Sequence, residues 1–111
     1  MRTVIIALAL SATISATDAQ AGDIIGNGSF SCGNWTSNHQ ETDAMSLTDD
    51  AWLAGYLTAY SLYTDDEMHL PDQGARNNWV SNYCRNHPLD LITMAAHQLI
   101  LELIKRQSSQ R

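Results

Sequence analysis

The residues best suited to catalysis or metal binding in this 111-residue chain are four histidines and two cysteines. The histidines are His39, His69, His87 and His97. No two of them have the i, i+4 spacing of H-E-x-x-H, the helical zinc motif. Neither cysteine belongs to a C-x-x-C pair, and nothing near either one supplies the second half of a zinc site. We therefore expect no metal site, with His87 helping to cap a helix end and His97 on the polar side of a helix.

Other patterns that support catalysis are also missing from the sequence. The acidic run at residues 65–67, followed by Asp72, lacks the D-x-D-x-D-G order and the final glutamate of a calcium loop, so we interpret it as a solvated loop. No serine lies in G-x-S-x-G. Carboxylate pairs occur only in predicted loops, where no apolar surroundings would make one of them a general acid. We expect a protein that is not an enzyme and that uses no cofactor.

Cys32 and Cys84 are the only cysteines, and we expect them to form one disulfide in an oxidising compartment. Two free thiols or a metal pair are the alternatives. Closing a loop of about fifty residues contributes ~4 kcal/mol in the chain-entropy model. The bond would fasten an irregular N-terminal segment to the corner between the last two helices, because that segment has little apolar surface of its own.

Residues 1–21 have the order of a secretory signal peptide. Met1-Arg2 is followed by an apolar run over residues 4–14 and by A-Q-A at 19–21. An apolar run of about a dozen residues is shorter than the roughly 20 that span a bilayer, and a membrane anchor is the alternative interpretation. We expect cleavage after Ala21, a single domain at 22–111, a periplasmic or secreted location and no stable membrane insertion after cleavage.

The charge balance argues against nucleic acid as a partner. The chain has six Lys or Arg and twelve Asp or Glu residues, and only Arg2 and Asp18 precede the expected cleavage site, so the exported part also has a net charge of −6. Phosphate binding needs clustered positive charge. The one basic group, Lys105 and Arg106 with Arg111, lies where it would complement a helix dipole.

The apolar periodicity predicts an all-α fold, a small bundle of three main helices stapled by the disulfide. Residues 22–33 are expected to be irregular, although Phe30 and Trp35 should tuck their rings in beside Cys32, and residues 36–44 should form a loop. The helices are predicted at 46–63, 73–86 and 89–105.

Specific residues set these boundaries. Ser46 stands three residues before Asp49, the spacing of a capping box. Asp72 stands where an N-cap is needed, and Pro88 ends one helix and suits the first turn of the next. Gly55 interrupts the first helix at a cost of ~1 kcal/mol relative to alanine, so we expect a close neighbour there.

Two sets of residues define the apolar faces. The first helix has the stripe Trp52, Leu53, Tyr56, Leu57 and Tyr60. The last helix has a broader one: Leu89, Leu91, Ile92, Ala95, Ala96, Leu99, Leu101, Leu103 and Ile104.

One surface is a candidate for binding a protein partner. Tyr60 and Tyr63 follow the inward residues Trp52 and Tyr56 and stand beside the acidic run Asp65, Asp66 and Glu67. Aromatic residues are enriched at the centres of interfaces. We expect these five residues, Tyr60, Tyr63, Asp65, Asp66 and Glu67, to contact a protein partner or client, and the sequence leaves a homodimer open.

Three segments carry a resemblance to known proteins. They are C-G-N-W at 32–35, W-L-A-G-Y-L at 52–57, and W-V-S-N-Y-C-R at 79–85 followed by Pro88-Leu89. They resemble a group of small exported bacterial proteins with a W-[LV]-x-G-[YF]-L helix and an N-Y-C-R-x-x-P turn. In layout the chain is also similar to the HdeA-type periplasmic acid-stress chaperones and to immunity proteins of type VI secretion effectors, of the Rap and Tai kind.

The resemblance implies a non-catalytic periplasmic binding protein with a small helical fold. In the acid-chaperone reading, Cys32 and Cys84 match the single disulfide, and acid loosens the bundle to expose client-binding faces. In the alternative reading, the chain is an immunity or inhibitor protein that neutralises a periplasmic or cell-wall enzyme. Its acidic loop at 65–72 would then meet a basic cleft.

Overall fold

Residues 22–40 and 44–110 are described by a computed structural model, in which four α-helices follow a short 3₁₀ turn (Asn27–Ser29). The helices are α1 (Cys32–Gln40), α2 (Ala44–Tyr63), α3 (Gln73–Asn86) and α4 (Ile92–Ser109). The all-α bundle and the Cys32–Cys84 disulfide are thus confirmed. The predicted signal peptide at 1–21 lies outside the described residues.

Helix α1 is the main departure from the predicted fold, because residues 32–40 were expected to be irregular or loop. The hydroxyl of Ser31 accepts a hydrogen bond from the backbone N–H of Asn34 and caps the helix. Cys32 and Trp35 are fully buried, and the Trp35 indole donates to Ser81 Oγ at 2.9 Å. Tertiary contacts on one short face therefore stabilise a helix whose sequence is otherwise polar.

Helix α2 begins two residues earlier than predicted, so Ser46 lies inside it rather than capping it. Leu53 and Leu57 are buried, and Trp52, Tyr56 and Tyr60 are partly buried against the core, as the stripe predicted. The prediction for Gly55 is wrong. It lies on the exposed side, and a Cβ added there would meet nothing within 4 Å.

Helix α3 has the predicted bounds. The Asp72 carboxylate accepts the Ala75 N–H at 2.8 Å, which satisfies one of the free donors of the first turn. At the other end, the backbone N–H of His87 donates to Cys84 O, and its ring Nδ1 donates to Tyr83 O. Both predicted capping roles are therefore confirmed.

Helix α4 begins at Ile92 instead of about Leu89, and it ends at Ser109 instead of Lys105. The delay arises because residues 88–90 form a turn in which the Asp90 N–H donates to His87 O. Leu89 consequently lies outside the stripe and is 93% exposed, and Leu101 is also exposed. The buried residues of α4 are Ile92, Ala95, Ala96, Leu99 and Ile100. His97 is exposed, as predicted.

The segment before α1 is held by more than the disulfide. Ser31 and Leu91 form an isolated antiparallel bridge, and beside it the Ile92 N–H donates to Phe30 O at 2.9 Å. The Cys32 N–H donates to Asp90 O at 2.7 Å. This segment therefore docks through backbone hydrogen bonds, because it has little apolar surface of its own. The prediction that Phe30 packs its ring beside Cys32 is wrong, since Phe30 is 40% exposed.

Trp52 completes this docking by covering the 3₁₀ turn. Its indole donates to Ile25 O at 2.9 Å, and its ring lies so close to Gly28 that a Cβ there would stand 1.9 Å from Trp52 Cζ2. The carbonyl of Gly28 accepts the Thr93 hydroxyl at 2.7 Å. The turn is thus clamped between α2 and α4.

Candidate functional site

The predicted partner-binding residues lie at one end of the molecule, where α2 gives way to the loop before α3. Tyr60 donates its phenolic proton to Asp66 Oδ2 at 2.5 Å, so the structure brings these two residues together. This hydrogen bond, with a smaller contribution from burial, raises the pKa of Tyr60. Asp65, Asp66 and Glu67 are exposed.

Apolar side chains accompany these carboxylates. Leu62 and Tyr63 are the last side chains of α2, and they are 70% and 86% exposed. We call Leu62, Tyr63, Asp65, Asp66 and Glu67 the acidic end. Open depressions border its carboxylates, and they are lined on the other side by Ile104, Gln107 and Ser108 of α4. The acidic end therefore combines one exposed aromatic ring and one exposed leucine with negative charge.

A second group of polar residues surrounds a buried carboxylate that sequence reasoning missed. Asp49 is fully buried, the one charged residue so enclosed in the described part of the chain. Its Oδ1 accepts from the Asn27 amide at 2.8 Å, and its Oδ2 accepts from the Asn38 amide at 2.9 Å. A buried carboxylate needs such donors, because desolvation of an unpaired charge is costly.

His39 and Asp50 extend this group. His39 Nε2 lies 2.7 Å from Asp50 Oδ1, and His39 Nδ1 lies 2.7 Å from the backbone oxygen of Trp35. The ring therefore bridges the end of α1 and the beginning of α2. Its Nδ1 stands 3.9 Å from Asp49 Oδ2, and the ring stacks on Trp35.

We call these five residues, Asn27, Asn38, His39, Asp49 and Asp50, the Asp49 cluster. It joins the 3₁₀ turn, the end of α1 and the beginning of α2, and the carboxylates of Asp49 and Asp50 connect these elements. One sequence signal for it existed, since Asp49 precedes the buried Leu53 and Leu57 at four-residue spacing on one helix face.

Within 22–40 and 44–110, no three His, Cys, Asp or Glu side chains are grouped so that they could hold a metal ion. No helix in the same ranges combines the length and hydrophobicity needed to cross a membrane.

Comparisons of this chain with protein-family models, with curated proteins and with solved structures find no match.

Proposed function

We propose that this chain is a non-catalytic binding protein of the periplasm or another oxidising compartment, which opens in acid and then binds unfolding proteins as HdeA-type chaperones do. The disulfide supports the compartment, because isolated pairs of this kind form and persist outside the cytoplasm. The burial of the Asp49 carboxylate is the observation that carries the acid response.

Acid removes what holds the Asp49 cluster together. At about pH 2.5 carboxyl groups are generally protonated. A neutral carboxyl group is a weaker hydrogen-bond acceptor than a carboxylate, so Asp49 and Asp50 would then hold Asn27, Asn38 and His39 less tightly. The three elements that meet at this cluster are consequently released from one another.

The charge of the whole chain acts in the same direction. With all carboxyl groups neutral, five Lys or Arg residues, four histidines and an amino terminus give a charge near +10 after cleavage at Ala21. Such self-repulsion loosens compact states and exposes apolar surface. Release of α1 and α2 would uncover Trp35, Leu53 and Leu57, the faces we assign to clients.

A pH titration of the oxidised protein tests this function. We expect a hydrophobic dye to bind as the pH falls to about 2.5. At that pH we also expect the protein to suppress light scattering by acid-treated alcohol dehydrogenase, used as the client. Asp49→Asn should bind dye at a higher pH than the wild type, whereas Asp23→Asn removes the same charge from an exposed position and should not.

Two results would count against the acid-opening function. One is a wild-type protein that stays closed while the client aggregates at about pH 2.5. The other is a dye-binding transition at the same pH in Asp49→Asn and Asp23→Asn, since this would remove the buried carboxylate from the mechanism.

The acidic end favours a second candidate, an inhibitor or immunity protein that binds a basic cleft of an enzyme at neutral pH. Leu62 and Tyr63 are exposed beside three carboxylates. The two apolar side chains would anchor the protein in the cleft, and the carboxylates would meet its positive charge. Affinity purification at neutral pH should then yield one stoichiometric enzyme whose activity the protein blocks. The variant Asp65→Asn/Glu67→Gln should weaken this inhibition, and Asp23→Asn/Glu102→Gln, with equal charge, should not. Equal inhibition by the two variants would exclude the acidic end as the surface that binds the enzyme.

A further inference from the structure

The seam between α1 and α3 contains a polar cleft that shares His39 with the Asp49 cluster and whose other lining residues neither proposed function uses. The two helices run antiparallel, held by the Cys32–Cys84 disulfide and by the bond from Trp35 to Ser81. The cleft has a volume of about 280 Å³, near the lower limit for small-molecule sites. Every residue that lines it has a polar side chain: Thr36, His39, Gln40, Asn77, Asn78, Ser81 and Arg85.

Positive charge and hydrogen-bond donors dominate this lining. No aspartate or glutamate is among the described residues that line the cleft, although the chain carries a net charge of −6. Arg85 donates from Nη2 to Asn82 Oδ1 and forms no ion pair with a carboxylate of residues 22–40 or 44–110. Its guanidinium has five N–H donors, so most of them remain for a ligand.

Two buried atoms of the lining have unmet hydrogen-bonding capacity. Thr36 Oγ1 and Asn77 Oδ1 are inaccessible to solvent and have no partner in the described part of the chain. Ser81 Oγ accepts the Trp35 indole proton, which leaves the serine hydroxyl proton for another acceptor. Native proteins rarely leave buried polar atoms unpaired, because each costs about 1–3 kcal/mol.

We propose that this cleft binds a small organic carboxylate that also carries an O–H or N–H donor. Arg85 and the Ser81 hydroxyl would bind the carboxylate oxygens. A rotation of the Thr36 and Asn77 side chains into the cleft would let the Thr36 hydroxyl donate to the carboxylate and Asn77 Oδ1 accept the ligand's donor. Arginine recognises carboxylates through its planar, paired N–H groups. A free hydroxy acid or amino acid has this chemistry, and so does the C-terminal residue of a peptide.

Titration of the oxidised protein at pH 7, followed by amide NMR shifts, tests the proposal. The probes are lactate, propionate, tri-alanine and tri-alanine amide, each raised to about 10 mM because ligands of so few atoms bind weakly. We expect saturable shifts at cleft residues with lactate or tri-alanine, and weaker ones with propionate, which lacks the donor. The stronger of the first two probes identifies the source of the carboxylate.

Matched variants connect any binding to the cleft. Arg85→Gln should weaken binding at least about tenfold, since a charged hydrogen bond is lost. Arg106→Gln makes the same charge change on α4 and should leave the affinity unchanged. Asn77→Ala should lower the affinity for lactate to that for propionate, because the acceptor for the ligand's donor is removed. The spectrum without ligand shows that each variant is folded.

Three outcomes would overturn the proposal. One is the absence of saturable shifts with both lactate and tri-alanine. Another is a protein that does not bind lactate and binds tri-alanine and its amide equally, since the amide has no carboxylate. The third is an equal loss of affinity in Arg85→Gln and Arg106→Gln, which would indicate general attraction of an anion rather than a site.

Discussion

Gly28 is tightly packed and Gly55 faces open space, so substituting each by alanine gives a paired test of packing. Gly28→Ala would bring a Cβ to 1.9 Å from the Trp52 ring, which cannot move without losing its bond to Ile25 O. We expect a loss of about 1–3 kcal/mol in unfolding free energy, as for other overpacked sites. Gly55→Ala meets open space inside a helix and should gain about 1 kcal/mol.

Urea denaturation followed by circular dichroism measures both glycine variants on the same scale. Opposite signs are expected, with an unchanged dependence on urea. If Gly28→Ala were as stable as the wild type, the clamp of Trp52 over the 3₁₀ turn would be wrong.

The raised pKa of Tyr83 predicts that the protein becomes less stable to unfolding at alkaline pH. Its hydroxyl donates to Asp90 Oδ2 at 2.5 Å, and this bond, with a smaller effect of burial, raises the pKa of Tyr83. A raised pKa means that folding favours the protonated phenol. The stabilisation is therefore complete below about pH 10, the unfolded value, and is lost as the pH rises through the folded value.

Absorbance of the phenolate at alkaline pH measures this effect. In Asp90→Asn the partner keeps an accepting oxygen but loses its charge, so one tyrosine should titrate closer to the ordinary pKa. Asp66→Asn should do the same for Tyr60, whose pKa is also raised by a carboxylate. Unchanged titration in both variants would contradict the carboxylate as the cause.

The sequence could indicate that single residues were buried, but not which partners they would meet. Asp49 is in register with Leu53 and Leu57, so its position on the inner face was readable. Its partners Asn27 and Asn38 come from two other elements, and only the tertiary fold brings them to it. The polar cleft was unpredictable for the same reason. Its two walls are at least 37 residues apart in the sequence, the separation of Gln40 and Asn77, and the helix α1 that forms one wall was not predicted.

At the scale of elements, prediction succeeded where local signals agreed. Helix α3 has its predicted bounds because Asp72 caps one end and the turn before Pro88 closes the other. Helix α1 was missed because its sequence lacks an apolar period and its stability comes from burial of Cys32 and Trp35. The start of α4 was misplaced because Leu91 is engaged with Ser31, a contact invisible to periodicity.

Removal of the disulfide should destabilise the fold without detaching the segment before α1. Cys32 and Cys84 are 52 residues apart, and the chain-entropy model gives ~4 kcal/mol for such a loop. The hydrogen bonds of Cys32 with Asp90 and of Ile92 with Phe30 do not involve the sulfurs. We therefore expect a large loss of unfolding free energy for the whole fold and little detachment of the segment before α1.

Hydrogen exchange of Cys32→Ala/Cys84→Ala and of the wild type separates these effects. The amide of Ile92 should exchange with the same opening free energy as the core of α4 in both proteins. Exchange of Ile92 far ahead of the α4 core in the variant alone would show that the sulfurs were its main tether.

At the scale of the whole molecule, the excess of acids over bases makes the effect of acid dependent on salt. If self-repulsion near +10 expands the chain at about pH 2.5, then 1 M NaCl, where the Debye length is about 3 Å, should make it compact again. Small-angle scattering gives the radius of gyration at each salt concentration. If salt left the expansion unchanged, the cause would be loss of the Asp49 cluster and not self-repulsion.

The burial of Trp35 also has an optical consequence. Its indole is stacked on the His39 ring at 4.1 Å between centroids, and it shares α1 with a cystine bridge. Disulfides quench excited indoles by accepting an electron. The native protein should therefore emit weakly from Trp35, and light from this residue should brighten when α1 leaves its place, so the chain carries its own fluorescent reporter of opening.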